Sequence, residues 1–192
     1  MVKTADRLNR ICHYATQEEI DFQRDIMAKK IKRGSKMVMI GAGPGVLLVS
    51  LLEGLEHDEI MGWVIDIDTC SWVKKHIMTN VHLPDSIKYG KKIKYIDHKD
   101  SCQVGLYWMN GKIDYLIIDG DHSEMGIKRD MFAWLNYIKK GGFVLFHDYS
   151  YEGSGWGDPD WIEVKPFVDP EMERRNWNLI HRFGCSAVFE VG

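Results

Sequence analysis

Apolar residues recur along the chain in short runs, each closed by glycine or an acid and followed by a stretch with helical spacing. Met37-Val38-Met39-Ile40 is the first buried run, stopped by Gly41. Val46 to Leu55 reads as an apolar helix, and Ile60-Met61-Gly62-Trp63-Val64-Ile65 as a second strand that stops at Asp66. Cys70 to Asn80 reads as a helix with Thr69 or Ser71 near its cap. Ile93-Lys94-Tyr95-Ile96 is a third strand, partly polar and therefore nearer the sheet edge. Ile113 to Ile118 is a fourth. Ile127, Met131, Trp134, Leu135 and Ile138 give Met125 to Lys139 a helical stripe that Gly141-Gly142 closes, and Phe143 to Phe146 is the fifth strand. Ahead of these, Ile11, Tyr14, Ala15, Glu18, Phe22, Ile26 and Ile31 predict an N-terminal helical segment over 1–33, with Gly34 as its C′ glycine.

Strands alternating with helices predict an α/β fold with a doubly wound, mostly parallel sheet, right-handed crossovers and helices on both faces. The tail breaks the alternation. Trp177-Asn178-Leu179-Ile180 and Ala187-Val188-Phe189-Glu190-Val191 flank Phe183-Gly184-Cys185, the pattern of a terminal antiparallel hairpin. The stretch 149–176 is rich in Gly, Pro and Trp around a short helix and reads as a lid-like insertion above the sheet, with Trp156, Trp161, Tyr149 and Tyr151 as its aromatics. Trp72 and Trp134 are core candidates, and ten methionines are more simply core filling than metal ligands. With no internal repeat, 1–192 reads as a single domain.

Composition removes several function classes. A net charge of −3 leaves no basic surplus for binding nucleic acid through its phosphates. Cys12, Cys70, Cys102 and Cys185 lie far apart with no C-x-x-C pair, which predicts reduced thiols in a cytoplasmic protein rather than a disulfide frame. No apolar run is long enough to span a bilayer, and the first residues lack an apolar signal core.

The chemistry gathers at strand ends. Strand four ends in Asp119-Gly120-Asp121-His122-Ser123 and strand five in His147-Asp148-Tyr149, so acids and imidazoles are predicted along one rim of the sheet. In open α/β sheets that carboxyl-end rim is where ligands bind. Ile40-Gly41-Ala42-Gly43-Pro44-Gly45 joins strand one to the next helix, and its glycines permit positive φ and close approach of a ligand to the backbone. Asp66, ending strand two, is placed to accept hydrogen bonds from ribose hydroxyls, whereas Asp68 suits capping of the next helix. Asp119 and Asp121 are alternatively caps of the helix that follows. The loop spacing is G-x-G-x-G, not the G-x-G-x-x-G of dinucleotide sites.

These segments, with Val64-Ile65-Asp66-Ile67-Asp68, Asp114 to Ser123 and Gly141 to Tyr149, resemble the class I S-adenosylmethionine-dependent methyltransferases. Within that superfamily the chain is most similar to the small-molecule O-methyltransferase group related to macrocin-type and cephalosporin-pathway enzymes (methyltransferase 24-like), over roughly 36–192. The resemblance implies a Rossmann-like seven-stranded sheet with its last strand antiparallel. It implies S-adenosyl-L-methionine as cofactor, with Gly41, Ala42 and Gly43 at its methionine part, Asp66 at the ribose, Asp100-Ser101 beside the adenine, and Gly45 and Ile67 among the other cofactor-binding residues. Asp119 is at once a cofactor-side residue and, with His147 and Asp148, a member of the set that in metal-dependent relatives binds a divalent ion, here Mg²⁺ or Mn²⁺. Two departures stand out. Met39 occupies the place of an acid that precedes the loop in many relatives, and His147 replaces a carboxylate. Imidazole is a poor partner for Mg²⁺ and suits Mn²⁺, Fe²⁺ or Zn²⁺. Two arrangements therefore stay open: a metal other than Mg²⁺, or His147 or His122 as the general base that deprotonates a hydroxyl of a small-molecule acceptor. An NAD(P)- or nucleotide-sugar-dependent oxidoreductase and a non-catalytic nucleoside-binding protein are the rival readings. The N-terminal segment is placed to cover its own site or that of a second copy, so a homo-oligomer also stays open.

Overall fold

The structure, a computed structural model, describes residues 3–12, 15–152 and 162–192. Five strands run parallel: β1 (Ser35–Ile40), β2 (Ile60–Ile65), β3 (Ile93–Ile96), β4 (Ile113–Ile118) and β5 (Ile138–Phe146). The hairpin of β6 (Asn178–Phe183) and β7 (Ser186–Glu190) adds to β5 through antiparallel β7, giving the order β3-β2-β1-β4-β5-β7-β6. The fold class read from the sequence is therefore the observed one, including the antiparallel terminal hairpin and the half-exposed edge strand β3.

Side chains of a strand alternate between faces, so each interior strand feeds two cores. Met37, Met39, Val64, Tyr115, Ile117 and Leu145 meet the helices of one face. These are α1 (Thr4–Cys12), α2 (Gln17–Asp21), which continues through a π-helical turn at Phe22–Met27 into α3 (Ala28–Lys30), then α4 (Val46–Gly54) and α5 (Ser71–Met78). Val38, Ile40, Ile65, Leu116, Ile118 and Phe146 face the other way. There they meet α7 (Ser101–Leu106), α8 (Glu124–Trp134) and α9 (Lys165–Arg175). Trp63, Trp108 and Trp134 form an edge-to-face chain in this second core. The remaining short helix, α6 (Asp85–Lys88), buries only Ile87.

Several boundaries differ from the sequence pattern for local reasons. The helix expected to reach Lys139 stops at Trp134, and Leu135–Tyr137 form a 3₁₀ turn. β5 starts at Ile138, five residues earlier than expected, and passes through Gly141 at φ +70° with a register slip against β4. Leu135 and Ile138 are buried in the second core either way, so the helical stripe misled about the backbone and not about burial. At the N-terminus the helix ends at Lys30, because Ile31 turns extended to bury its side chain; Gly34, at φ +79°, belongs to the turn into β1. Trp72, expected in the core, lies on the surface at 59% exposure. Of the segment read as a lid, α9 is a core helix that buries Val168 and Met172 under the sheet, while residues 153–161, with Trp156 and Trp161, lie outside the described residues. Among the described residues no helix is long and apolar enough to cross a membrane.

Candidate active site

The strand registers align the carboxyl ends of the five parallel strands. Ile40 pairs with Ile65 and Ile118, Ile65 with Ile96, and Ile118 with Phe146. The next residues in that row are Gly41, Asp66, Asp97, Asp119 and His147. Four of them are tied down by one more backbone bond each: Gly41 N–H to Ile65, Asp66 N–H to Ile96, Asp119 N–H to Ile40 and His147 N–H to Ile118. A cleft of about 830 Å³ opens along this rim, within the range that holds a cofactor-sized ligand.

The glycine loop forms one wall. A Cβ on Gly41 (φ +68°) would stand 2.0 Å from the carbonyl oxygen of Asp119, so only glycine lets β1 and β4 close up at their ends. The acid missing at Met39 is replaced by another anchor. Asp66 Oδ2 accepts the Ala42 N–H at 2.8 Å, and its Oδ1 accepts the Asp68 N–H at 2.9 Å. His76 Nδ1 lies 2.9 Å from the Pro44 carbonyl, a partner the sequence did not supply. Gly41, Ala42, Gly43, Asp66, Ile67, Asp100, Ser101 and Asp119 all line the cleft. Gly45 does not: it sits at φ +80°, and a Cβ there would also meet the Val73 side chain of α5 at 2.3 Å.

Near Asp66 the cleft is bounded by groups with structural duties as well. Asp100 caps α7 by accepting the Gln103 N–H at 3.0 Å and pairs with Arg129 at 2.8 Å. Ser101 hydrogen-bonds Asp130, a carboxylate missed in the sequence. Burial pushes the Asp130 carboxyl up to about 6. The capping roles fall elsewhere than expected. Asp68 makes no cap, since the N–H of Cys70 at the start of α5 goes to Asp97 at 2.6 Å. Ser123 caps α8, with Asp121 bonded to the Ser123 N–H, so Asp119 is spared capping altogether.

At the other end of the cleft, β4 and β5 bring four ligating side chains together. Consecutive residues of a strand point to opposite faces, but Asp148 turns into the left-handed region at φ +49°, which lets His147 and Asp148 both face the site. His147 Nδ1 lies 3.0 Å from Asp119 Oδ1 and 3.1 Å from Asp148 Oδ2. His122 Nδ1 lies 3.0 Å from Asp148 Oδ2, and its Nε2 faces Asp119 at 3.6 Å. One ligand atom from each of Asp119, His122, His147 and Asp148 lies within 4.8 Å of the others. His122 Nε2 and His147 Nδ1 are nonetheless buried without an aligned hydrogen bond. Two orphaned ring nitrogens converging with two carboxylates fit a divalent cation, and this N₂O₂ set suits Mn²⁺, Fe²⁺ or Zn²⁺ better than Mg²⁺. His122 is the ligand candidate that the sequence reading left among possible bases.

Charge in the cluster is lopsided. Burial disfavours a charged His147 ring, but Asp119 and Asp148 outweigh it and hold its pKa well above the ordinary imidazole value. His122 is raised for the same reasons. Burial would raise Asp148, yet His147 and His122 bring it down to about 2. A fifth and sixth group come from distant chain segments: Glu19 from α2 and Cys185 from the β6–β7 turn, where burial lifts the thiol to about 11. Tyr151 hydrogen-bonds Asp148 and, with Ile162, lines the outer part of the cleft.

Comparison with known proteins bears on the family and the fold. Residues 38–149 match the profile of the family described as methyltransferase domain, of the methyltransferase 24 type. An uncharacterized protein of Acanthamoeba polyphaga mimivirus, R132, is 43% identical over 37 residues, 19% of this chain and 17% of that protein. Among solved structures, an O-methyltransferase of Bacillus cereus in complex with S-adenosylhomocysteine superposes with TM-score 0.65 at 13% identity, covering 98% of this chain and 90% of that one. A candidate O-methyltransferase of Klebsiella pneumoniae gives 0.70 at 11% identity, covering 100% and 91%. The pyocyanin biosynthetic protein PhzM gives 0.59 at 13% identity, covering 91% of this chain and 54% of that one. The chain thus spans about half of PhzM, the match covers less than a fifth of the mimivirus protein, and the 11–13% identities to these solved structures speak for the fold alone. The family match covers more than half of the chain, including the glycine loop, Asp66, Asp119, His122 and His147-Asp148. The chain belongs to the methyltransferase-domain family.

Proposed function

We propose that the protein transfers the methyl group of S-adenosylmethionine to a hydroxyl of a small-molecule acceptor of sugar or natural-product type, with a divalent cation held by Asp119, His122, His147 and Asp148. The observation that carries this reading is the cleft itself. A glycine loop anchored to Asp66 and two orphaned imidazole nitrogens facing two carboxylates share one cavity. The cofactor bound to the Bacillus cereus relative supports the choice of nucleoside.

S-adenosylmethionine supplies a sulfonium-activated methyl group, and a divalent cation lowers the pKa of a coordinated hydroxyl. The protein's residues align and shield. Gly41, Ala42 and Gly43 would lie along the methionine part, Asp66 and Ile67 at the ribose, and Asp100-Ser101 at the adenine. Asp66 bonds the loop backbone through Oδ2 and the Asp68 N–H through Oδ1, so it fixes the cofactor wall as well as offering its remaining lone pairs. His147, at 6% exposure, is out of reach of solvent, and the carboxylate neighbours of both rings raise their pKa above the ordinary imidazole value. The ligand role rests on geometry: His122 Nε2 and His147 Nδ1 are buried without an aligned hydrogen bond and converge with two carboxylates, and a cation would take the place of the ring proton at those nitrogens. The three described cysteines are buried and unpaired, in keeping with a cytoplasmic setting.

Calorimetry with S-adenosylhomocysteine, with and without Mn²⁺ or Mg²⁺, tests the reading. Micromolar binding, about −8 kcal/mol, and a separate site for Mn²⁺ are expected. Binding of nicotinamide dinucleotide in place of S-adenosylhomocysteine would overturn it in favour of an oxidoreductase. Labelled-methyl transfer to a panel of hydroxylated small molecules then identifies the acceptor.

A further inference from the structure

The family match ends well short of Glu19 and Cys185, yet both reach the ligand cluster. Glu19 is a fully buried carboxylate, which a protein rarely tolerates without partners. Its Oε2 accepts the Thr16 N–H at 2.7 Å, completing a capping box at the start of α2. Its Oε1 has no part in the cap. It accepts from Ser186 Oγ, from Cys185 Sγ at 3.2 Å, and faces His147 Nε2 at 3.6 Å. Cys185 Sγ stands 3.6 Å from the same ring nitrogen. The two nitrogens of His147 therefore have different nearest neighbours: Asp119 and Asp148 at Nδ1, Glu19 and Cys185 at Nε2, with Cys185 Sγ also reaching Asp148 Oδ1 at 3.5 Å.

We infer that Glu19 is a positioning residue for the cation site: from the N-terminal helix its Oε1, 3.6 Å from Nε2, holds the ring proton of His147 on that nitrogen by charge and so fixes the tautomer and ring orientation that present the Nδ1 lone pair to the cation. This rests on the metal-assisted reading above. A histidine that ligates through one nitrogen commonly donates its other N–H to a carboxylate, and losing that partner weakens metal affinity about 10–100-fold. The alternative metal set of Glu19, His147 and Cys185 is less suited to hold an ion, because Glu19 already accepts from Thr16, Ser186 and Cys185 while the orphaned ring nitrogen is on the opposite side. Cys185 on the β6–β7 turn and Ser186 at the start of β7 hold Oε1 in place, so the N-terminal helix and the terminal hairpin together clamp one ring.

Glu19→Gln and Thr16→Ala separate this role from a structural one. Glutamine keeps the capping box but loses the charge toward Nε2, whereas Thr16→Ala loses the cap hydroxyl and keeps Glu19. Mn²⁺ titration followed by electron paramagnetic resonance of the free ion should show affinity about tenfold or more weaker in Glu19→Gln, with S-adenosylhomocysteine affinity in the absence of metal unchanged. Thr16→Ala should lower Tm and leave Mn²⁺ affinity at the wild-type value. Equal Mn²⁺ affinity in wild type and Glu19→Gln overturns the positioning role alone; no Mn²⁺, Fe²⁺ or Zn²⁺ binding by wild type overturns the metal reading with it. Nitrogen-15 NMR of the Zn²⁺-loaded wild-type protein needs no variant to fold: the proton of His147 is expected on Nε2, and a proton on Nδ1 refutes the inference.

Discussion

Replacing Gly41 by alanine puts a methyl group where three backbone atoms already stand. The Cβ would lie 2.0 Å from the Asp119 carbonyl oxygen, 2.5 Å from its carbon and 2.7 Å from Gly120 Cα. None of these is the end of a flexible side chain, so relief requires the β1–α4 loop and the end of β4 to move apart. A left-handed alanine at φ +68° costs about 1–2 kcal/mol, and overpacking typically about 1–3 kcal/mol more. The sum, about 2–5 kcal/mol, is a large share of the roughly 5–15 kcal/mol that stabilises an ordinary domain. Gly43→Ala is the matched control. Its φ is +45° and nothing lies within 4 Å of the added methyl, so only the conformational part applies, about 1–2 kcal/mol. Urea unfolding should place Gly41→Ala well below Gly43→Ala. Calorimetry should show Gly41→Ala losing both S-adenosylhomocysteine and Mn²⁺, because the strand that moves carries Asp119. Equal stability in the two variants, or intact Mn²⁺ binding by Gly41→Ala, would show that the close approach of β1 and β4 does not hold the site together.

Two pH effects follow from the charged groups. Burial raises the Asp130 carboxyl to about 6, above its unfolded value near 3.9, so the fold gains most from it below pH 4 and loses that gain as pH rises to 6. Two pK units correspond to about 3 kcal/mol, so Asp130→Asn should be more stable than wild type by up to that amount at pH 8 and indistinguishable below pH 4; parallel stability curves from pH 4 to 8 would refute this. Asp148 behaves oppositely: with a folded pKa of about 2, it contributes about 3 kcal/mol above pH 4 that is lost as pH falls toward 2. His147, raised, contributes below its unfolded pKa near 6.5 and loses that as pH climbs through the folded value. In metal-free protein Asp148→Asn should therefore flatten the acid limb of stability against pH, and an unchanged limb assigns acid unfolding to other carboxylates.

The architecture was legible because it is written in short-range signals. Each interior parallel strand ends in a run of β-branched or large apolar residues stopped by glycine, an acid or, after β5, a histidine, and those stops are where the registers place the rim. Hence Gly41, Asp66, Asp119 and His147 could be put on one edge before any coordinate was known. The boundary of β5 was not legible, since Leu135 and Ile138 satisfy a helical stripe and a strand equally well and the choice is made by pairing with β4. Nor was Trp72, whose helical spacing gives no clue to which side of α5 meets the core.

The part of the site that escaped the sequence is the part made by distant segments. Thr16-x-x-Glu19 is a capping-box pattern, and Glu19 does complete the box through Oε2. A local reading accounts for one oxygen of that carboxylate and is silent about the other. Oε1 meets Ser186 and Cys185 across 167 and 166 residues of chain, a pairing that exists only because the N-terminal helix packs on the face of the sheet where the β6–β7 turn emerges. The same reasoning applies to His147. Its place at the end of β5 was evident, but its two ring nitrogens have different neighbours, and only the fold shows that one is enclosed by the clamp while the other is left facing the carboxylate pair. The residues that perform chemistry at strand ends are thus announced by sequence, whereas those that orient them are selected by topology.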